Sequence, residues 1–502
     1  RVYCNGIASI PVGRARYGLM LREDGMVMDD GTVARLAPDR FFVTTTTAMA
    51  APALAHMEFC AQALWPELDV RLAAVTDHWA QMAVAGPRSR EILGRVVDGD
   101  LSDAAFPYMA AAEVTLFRGR VAGRLYRLSY SGERAYELAV PAAWGPGVAD
   151  ALVEAAGPGG LTPYGAEALA LLRIEKGHVT HAEINGTVTA ADLGLGRMVR
   201  REKPDFIGRA LLDRPGLVAP DRLALRGLMA LDPGEEIRAG AHLLPPGAAP
   251  SLAADLGHVT SATRSPHLGR SSALARVKGG EAMTGREVSV WDGLAGTAIR
   301  ARVVAPCFLD PEGTRLREPA TVAGAPGPPR AALTPHPAVA GATGGRSGRP
   351  GAPGLRLTAE PEGPVALILA ALGREAAAPA PDPSAPPCAL RFAGPGRWLV
   401  FGPPQAAPEG AATVDVSGAW IRIGLEGPAA EAVLAAGMGA PLSPARFAEG
   451  TSILAQWNHH ALSLARLGSE RWEIAVSRSR ARDLWEALRA AGAEFGVEAT
   501  AP

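Results

Sequence analysis

Two adjacent carboxylates, Asp29 and Asp30, are the residues whose type and setting point most directly to chemistry. They follow the apolar run Met26–Met28, which predicts that they belong to a β-strand. Strand neighbours point to opposite faces, so one carboxylate can face solvent while the other faces inward. An inward carboxylate has a raised pKa unless it is paired, and it can then act as a general base or hold a proton. Asp-Asp-Gly is also common in surface turns, so both interpretations stay open here.

The stretch Arg14–Thr47 must position this pair. Three apolar runs, Leu19–Leu21, Met26–Met28 and Phe41–Thr47, are separated by two short polar turns. The first turn contains Asp-Gly, which favours the positive φ of a tight turn, and the second contains Pro-Asp. The pattern predicts a three-stranded antiparallel meander with the acidic pair at its centre.

A third carboxylate, Glu175, lies in the last turn of a predicted helix, Thr162–Lys176, which Gly177 ends. The helix dipole disfavours a negative charge at that end. Because local rules are often broken where function requires it, Glu175 is a candidate ligand-binding acid. The alternative is an ordinary solvated glutamate beside Lys176.

Metal binding has little support in the sequence. His178, His181 and Glu183 form a His-x-x-His-x-Glu run, but no further spaced ligand accompanies it, so we predict no metal site. The four cysteines (Cys4, Cys60, Cys307 and Cys388) form no Cys-x-x-Cys pair. They predict neither a zinc site nor a disulfide scaffold, and a reducing, cytoplasmic location fits them best.

Length and charge limit the remaining classes. A chain of 502 residues predicts several domains, and its formal net charge of −1 argues against bulk capture of nucleic acid or anionic membrane. No apolar run is long enough to span a bilayer. The first residue is Arg1 rather than Met, so we expect the chain to start inside a longer reading frame or to have been processed.

The second half changes character twice. Short strand-like runs between Leu223 and Pro311 predict an antiparallel barrel. Residues 317–364 are rich in Gly, Pro and Ala and predict a disordered linker, and Ala376–Pro387 is a second weak stretch. Beyond them, residues 420–434 repeat the pattern of residues 79–93, and residues 471–476 repeat that of 135–140, which predicts a smaller second copy of one α/β unit.

Several motifs occur in a family order. Tyr17-Gly-Leu-Met, the run from Asp24 to Asp30, Leu172-Arg-Ile-Glu-Lys-Gly and Asp205-Phe-Ile-Gly resemble the folate-binding aminomethyltransferases, the glycine cleavage T-protein family. The resemblance is closer to the C-terminal part of the alpha subunits of heterotetrameric sarcosine oxidases, and residues 365–502 resemble the gamma subunits. It implies an α+β, aminomethyltransferase-like folate-binding fold with a C-terminal antiparallel β-barrel, followed by a second, smaller α+β copy.

The implied domains are a folate-binding domain that lacks its first segment (1–220), a barrel (221–316), the linker (317–364) and a gamma-like domain (365–502). The implied activity is capture of the carbon from oxidised sarcosine as 5,10-methylenetetrahydrofolate with release of glycine. Asp30 would be the catalytic carboxylate, with Asp29 in reserve, and Glu175 would bind the pterin ring. The other implied tetrahydrofolate contacts are Tyr17, Tyr130 and Tyr136 for the rings and Arg197, with Arg200, Arg201 and Lys203, for the acidic tail. The alternatives are core aromatics for the tyrosines and a solvated surface patch for the basic residues.

Redox chemistry is expected elsewhere. No Gly-x-Gly-x-x-Gly lies between a strand and a helix, so FAD, FMN or NAD would act only through missing sequence or partner subunits. The expected partners are the beta and delta subunits and the remainder of alpha, together with a small-molecule substrate. Two alternatives are a stand-alone aminomethyltransferase of glycine cleavage and a non-catalytic assembly subunit or fragment.

Overall fold

The computed structural model describes residues 1–317, 335, 337–340, 342, 344–347, 353–370, 389–403, 407–408, 410–438, 442 and 447–501. The chain forms two compact units. The first comprises Arg1–Ala53, Met82–Leu138 and Leu152–Pro329, and the second comprises Leu54–Gln81, Ala139–Ala151 and Arg330–Pro502. Within the described residues, every helix is too short or too polar to cross a membrane.

The predicted meander is confirmed. It consists of β1 (Arg14–Leu21), β2 (Val27–Ala37) and β3 (Arg40–Val43), in the order β1-β2-β3, with both pairs antiparallel. The third strand ends at Val43, so Thr44–Thr47 leaves the sheet earlier than the apolar run predicted. In the β1–β2 register Leu19 is opposite Asp30 and Met20 is opposite Asp29.

A second sheet has four strands in the order β4-β7-β6-β5. These are β4 (Trp79–Ala85), β5 (Ala111–Leu116), β6 (Val121–Tyr126) and β7 (Ala135–Pro141). The helices of this part of the chain are α1 (Ala50–Phe59), which continues into a π-helical turn at Cys60–Leu64, α2 (Ser89–Leu93), α3 (Gly145–Ala156) and α4 (Ala166–Lys176). Helix α4 begins four residues after its predicted start.

Gly177 ends α4 with a φ of +79°, as predicted for a left-handed C-cap. A Cβ at this position would also lie 2.6 Å from the carbonyl oxygen of Pro306. Both constraints favour glycine, and together they fix where the chain turns immediately after Glu175.

The barrel is also confirmed. Six strands close in the order β10-β11-β8-β13-β12-β9. Their bounds are β8 (Ala224–Ala230), β9 (His242–Leu244), β10 (Gly257–Ser265), β11 (Arg270–Val277), β12 (Glu287–Asp292) and β13 (Thr297–Val304). Aliphatic side chains such as Leu228, Leu243 and Val259 fill its interior.

The second unit holds a seven-stranded sheet, β14-β24-β15-β20-β23-β22-β21, and a four-stranded sheet, β17-β18-β16-β19. Its helices are α5 (Ala430–Gly437) and α6 (Arg478–Gly492). Its strands are β14 (Gly345–Ser347), β15 (Leu355–Ala359), β16 (Val365–Leu369), β17 (Ala389–Gly394), β18 (Arg397–Phe401), β19 (Ala412–Asp415), β20 (Trp420–Glu426), β21 (Ser452–Trp457), β22 (His460–Arg466), β23 (Arg471–Ser477) and β24 (Val497–Thr500).

The predicted linker of residues 317–364 is wrong in its second half, because β14 and β15 lie within it. Leu355 and Leu357 are fully buried on one face of β15, an alternation of only two residues that the surrounding Gly and Pro obscured. Residues 318–334 and Ala376–Pro387, the other parts predicted to lack structure, lie outside the described residues.

The internal copy is confirmed in strand order. The sheet order β4-β7-β6-β5 recurs as β20-β23-β22-β21, with the strands in the same chain order. In both copies the first strand leads through Gly-Pro into a helix, and the last strand leads into another, α3 or α6.

Candidate active site

Asp30 is half-buried in the middle of β2, on the same face of the meander as Tyr17. The Tyr17 hydroxyl donates a hydrogen bond to Asp30 Oδ2 at 2.5 Å. On the other side, Thr46 Oγ1 lies 3.5 Å from Asp30 Oδ1. The strand register produces this arrangement, because Leu19 faces Asp30 and Tyr17 is two residues from Leu19 on the same face.

Asp29 points to the opposite face and is fully buried. Its Oδ2 accepts a hydrogen bond from the backbone N–H of Thr46 at 3.3 Å, and His181 Nε2 lies 3.2 Å from its Oδ1. Thr46 therefore contacts both carboxylates, one through its backbone and one through its side chain. The two acids lie on opposite faces of the strand, as alternation predicts, and Asp29 is the fully buried one.

The pKa of Asp30 is raised, chiefly because burial disfavours the charged form. The hydrogen bond from Tyr17 and the nearby His181 act in the opposite direction, whereas the charge of Asp29 raises the pKa further. Burial also raises the pKa of Tyr17, so its phenol keeps its proton and donates to Asp30 at neutral pH. Asp30 thus holds a proton more tightly than an exposed carboxyl does.

Two glycines shape the space around the pair. Gly18 and Gly31 are opposite each other in the β1–β2 ladder, on the face that carries Asp29. A Cβ on Gly31 would overlap the backbone of Thr44, and a Cβ on Gly18 would lie 2.7 Å from the ring of Tyr3. Glycine at both positions lets the Thr44–Thr46 backbone and the Tyr3 ring lie directly on the strands.

Tyr3 is a residue of this site that the sequence analysis missed. It is 6% exposed and forms an isolated β-bridge with Met20, which places it on the face of Asp29. Its hydroxyl is buried without a hydrogen-bond partner among the described residues, and the charges of Asp29 and Asp30 add to the burial that raises its pKa. Lys203 anchors the Tyr3 backbone by donating to its carbonyl oxygen at 2.6 Å. No local motif marks Tyr3, because its position depends on pairing with β1.

Tyr130, predicted as a ring contact, stacks on His178 with ring centroids 5.5 Å apart and an interplanar angle of 26°. Its hydroxyl donates to the carbonyl oxygen of Val179 at 3.1 Å. Burial raises the pKa of Tyr130 to about 12, and the charge of Asp30 contributes to that shift. Because 36% of Tyr130 is exposed, part of its ring is open to a ligand.

Glu175 is 2% exposed, and its carboxylate is already engaged. Ser265 Oγ donates to its Oε1, and His267 Nδ1 lies 2.9 Å from its Oε2. These partners belong to the β10–β11 region of the barrel, and none of its hydrogen bonds in the described structure reaches Asp29 or Asp30. The conflict with the helix dipole correctly identified Glu175 as an unusual residue. The alternative of a solvated glutamate is wrong, because the carboxylate is buried and bound by Ser265 and His267.

Tyr136 and Arg197 do not join the acidic pair. Tyr136 is fully buried, accepts a hydrogen bond from Arg90 Nε at 3.0 Å and stacks on Phe106, so it occupies the core position that is usual for an inward aromatic. Arg197 lies exposed in a short 3₁₀ turn, Gly196–Met198. The other members of the basic cluster have partners: Arg200 pairs with Glu202, Arg201 pairs with Asp213, and Lys203 bonds the N-terminal segment.

The His178–Glu183 run diverges in space. His178 Nδ1 lies 3.0 Å from the carbonyl oxygen of Tyr130, whereas His181 points to Asp29. Glu183 is fully buried and bonds Arg173 at 3.0 Å and the Ser261 hydroxyl at 2.6 Å. These three side chains therefore do not share a common centre.

Comparison with known families decides the classification of this fold. Residues 1–203 and 399–501 match the GCVT N-terminal domain, and residues 224–310 match the glycine cleavage T-protein C-terminal barrel domain. The chain belongs to the glycine cleavage T-protein family. The N-terminal domain model matches both halves of the internal repeat, and the barrel model matches the closed six-stranded barrel.

Within the T-protein family, the chain is 59% identical over 316 residues to the sarcosine oxidase subunit alpha of Rhizobium meliloti (strain 1021), covering 63% of this chain and 32% of that protein. It is 39% identical over 319 residues to the subunit alpha of Corynebacterium sp. (strain P-1), covering 63% and 33%. It is 33% identical over 312 residues to the aminomethyltransferase of Saccharopolyspora erythraea, covering 60% and 78%. The chain therefore spans about a third of the sarcosine oxidase subunits, and these relatives are enzymes or enzyme subunits.

Among solved structures, the glycine cleavage aminomethyltransferase T from Bartonella henselae matches with a TM-score of 0.51 and 23% identity, covering 64% of this chain and 81% of that protein. That match bears on the fold alone. The meander, the four-stranded sheet and the barrel are thus the T-protein architecture, and the acidic pair lies within it.

Proposed function

We propose that this chain is the tetrahydrofolate-dependent one-carbon transfer module of a sarcosine-oxidising enzyme. The carbon of oxidised sarcosine would be captured as 5,10-methylenetetrahydrofolate, and glycine would be released. The observation that carries the proposal is Asp30, a half-buried carboxylate with a raised pKa and a phenol donor, on the meander of a T-protein fold. The similarity to sarcosine oxidase alpha subunits supports the choice of sarcosine over other amines.

The residues around Asp30 fit a folate-sized ligand in three respects. Asp30 keeps part of its surface open and can accept a hydrogen bond from a ligand N–H. The exposed part of the Tyr130 ring offers a stacking surface for an aromatic ring. The third is a polar group beside the acids, the unpartnered hydroxyl of Tyr3, which is buried. Glu175 does not fit as a free pterin ligand, because Ser265 and His267 occupy it.

When bound, tetrahydrofolate would supply the two nitrogens that receive the carbon. The residues of this chain would provide positioning, charge and a proton acceptor. Asp30, when ionised, stabilises a cationic group beside it and accepts a proton as that charge is lost. The Tyr17 hydrogen bond holds the carboxylate in one orientation, and the buried charge of Asp29 increases the proton affinity of Asp30. Positioning of the reactants supplies much of the rate increase in such sites.

The broader assembly follows from the same proposal. Residues 365–502 would be a gamma-like domain with a structural role, since the second copy has no counterpart of Asp29-Asp30. The remainder of alpha and the beta and delta subunits would carry the flavin and nicotinamide chemistry. The chain would act in the cytoplasm.

The test measures binding and transfer separately. Tetrahydrofolate is titrated against the chain by tryptophan fluorescence and thermal shift, and methylene transfer is measured with the sarcosine-oxidising partner subunits by the partition of carbon between formaldehyde and 5,10-methylenetetrahydrofolate. We expect Asp30→Ala to reduce transfer by about 10²–10⁴-fold, the usual contribution of a general acid or base, with binding changed little. Asp39→Asn, an exposed aspartate in the β2–β3 turn, is the matched control. Absence of folate binding by the wild-type chain would refute the proposal.

A second candidate is a stand-alone aminomethyltransferase of glycine cleavage. The match that covers 78% of the Saccharopolyspora erythraea enzyme favours it. Transfer from an aminomethyl-lipoyl carrier protein to tetrahydrofolate by the chain alone would support this candidate over the first. A chain that is inactive in both assays would be an assembly subunit.

A further inference from the structure

Three arginines of the first unit surround one carboxylate away from the acidic pair. Arg90, Arg127 and Arg134 are 6%, 2% and 3% exposed, and each lies within ion-pair distance of Asp103. We call these four residues the arginine cluster. Arginine keeps its charge in proteins, so three buried positive charges face a single negative one. Asp100, an exposed acid that accepts a hydrogen bond from the backbone N–H of Ser102, also interacts with Arg90.

Asp103 is shared unequally within the arginine cluster. Arg90 binds it with two Nη atoms, and Arg127 binds it with one while donating to the carbonyl oxygens of Phe106 and Leu316. These two guanidinium groups hold the pKa of Asp103 well below its usual range. Arg134 approaches no closer than 3.6 Å.

Arg134 is the unsatisfied member. Both of its Nη atoms are buried without a hydrogen-bond partner among the described residues. Burying a guanidinium without hydrogen-bond acceptors costs much free energy of folding. Such a group in a native protein is usually satisfied by a bound water or ion. A water could accept hydrogen bonds from Arg134 but would not neutralise the excess positive charge. An oxyanion can accept two parallel N–H bonds from a guanidinium and also carries the opposite charge.

Asp103 is the exposed member of the arginine cluster. The side chain of Asp103 is 42% exposed, whereas the guanidinium groups behind it are not. Asp103 lies in the irregular segment between α2 and β5, which contains no helix or long strand to hold it. Asp103 is thus the member of the arginine cluster that is open to solvent.

We propose that the arginine cluster is a binding site for a small oxyanion of the phosphate or carboxylate class. The anion binds Arg134 and Arg127 by displacing the carboxylate of Asp103, which serves as their counter-ion when no anion is bound. The site is independent of the proposed folate chemistry, so neither proposal depends on the other.

The experiment compares the full chain with two variants whose anion affinities should change in opposite directions. Phosphate and, separately, glutamate are titrated by isothermal calorimetry and thermal shift, with chloride used to keep ionic strength constant. We expect Arg134→Met to weaken anion binding at least tenfold, because it removes the guanidinium whose N–H donors have no partner among the described residues. We expect Asp103→Asn to tighten binding at least tenfold, because it removes the competing carboxylate. Arg300→Met, a change at an exposed arginine paired with Glu287, should leave binding unchanged.

Tighter binding of phosphate than of glutamate would identify an inorganic or phosphoryl ligand, and the reverse would identify a carboxylate ligand. Equal responses of wild type, Arg134→Met and Arg300→Met would show non-specific ion effects and overturn the proposal. Weaker or unchanged binding by Asp103→Asn would also overturn it. If Asp103→Asn does not fold, the comparison of wild type with Arg134→Met still decides, since loss of a wild-type response is required.

Discussion

The hydrogen bond from Tyr17 to Asp30 is the contact through which the proton affinity of the site can be tested. Tyr17→Phe keeps the ring and removes only the hydroxyl that donates at 2.5 Å. Hydrogen bonds to charged groups contribute roughly 1.5–3 kcal/mol, and the lower end applies here because Asp30 is half-buried and partly screened. A loss of about 1.5 kcal/mol for the ionised form raises the proton affinity of Asp30 about tenfold.

The assay is methylene transfer measured across pH, with tetrahydrofolate binding followed in parallel. We expect the acid limb of the pH–rate profile to move to higher pH in Tyr17→Phe, while binding at neutral pH changes by less than the rate. Tyr164→Phe, which removes an exposed phenol, is the matched control and should leave the profile in place. An unshifted acid limb in Tyr17→Phe would mean that the ionisation of Asp30 does not control the reaction.

Three further predictions concern stability. Asp30→Asn should become more stable than wild type as the pH rises through the raised pKa of Asp30, because burial makes the ionised carboxylate unfavourable in the folded state. The difference in the free energy of unfolding should vanish in acid. Urea unfolding at a series of pH values measures it. Gly31→Ala should cost about 1–3 kcal/mol and weaken folate binding, because the methyl group displaces the Thr44 backbone; thermal unfolding checks this. Arg173→Met should cost roughly 3–5 kcal/mol by leaving the buried charge of Glu183 unpaired, and adding Glu183→Leu should restore part of the loss.

The local parts of the site could be predicted from the sequence. The apolar runs Leu19–Leu21 and Met26–Met28 and the turns beside them predicted the meander, and strand geometry predicted that the two acids face opposite sides. The contact between His181 and Asp29 joins residues 152 positions apart, and periodicity carries no information about such pairs. Tyr3 was missed for the same reason, since its place beside β1 follows from a bridge to Met20 and not from its own neighbours.

Glu175 and β15 show two different limits. The unfavourable place of Glu175 in the helix dipole identified an engaged carboxylate, but not its partners, which come from a barrel turn 90 residues later. In β15, two buried leucines outweigh the surrounding Gly and Pro because the strand pairs on both edges, with β20 and β24. Composition averages over a window and cannot resolve so short an alternation.

In this chain the repeated four-stranded sheet and the acidic pair belong to different structural elements. The sheet order β4-β7-β6-β5 recurs as β20-β23-β22-β21, so the packing that stabilises each copy is retained. The acidic pair belongs to neither sheet but to the meander β1-β2-β3, where Thr46 and Tyr17 hold it. A copy can therefore lose the pair without losing its core, which is the physical reason that a second copy without Asp-Asp still folds. Transplanting an acidic pair into the second copy should accordingly fail to create folate-dependent transfer, because the Tyr17 and Thr46 contacts would be missing.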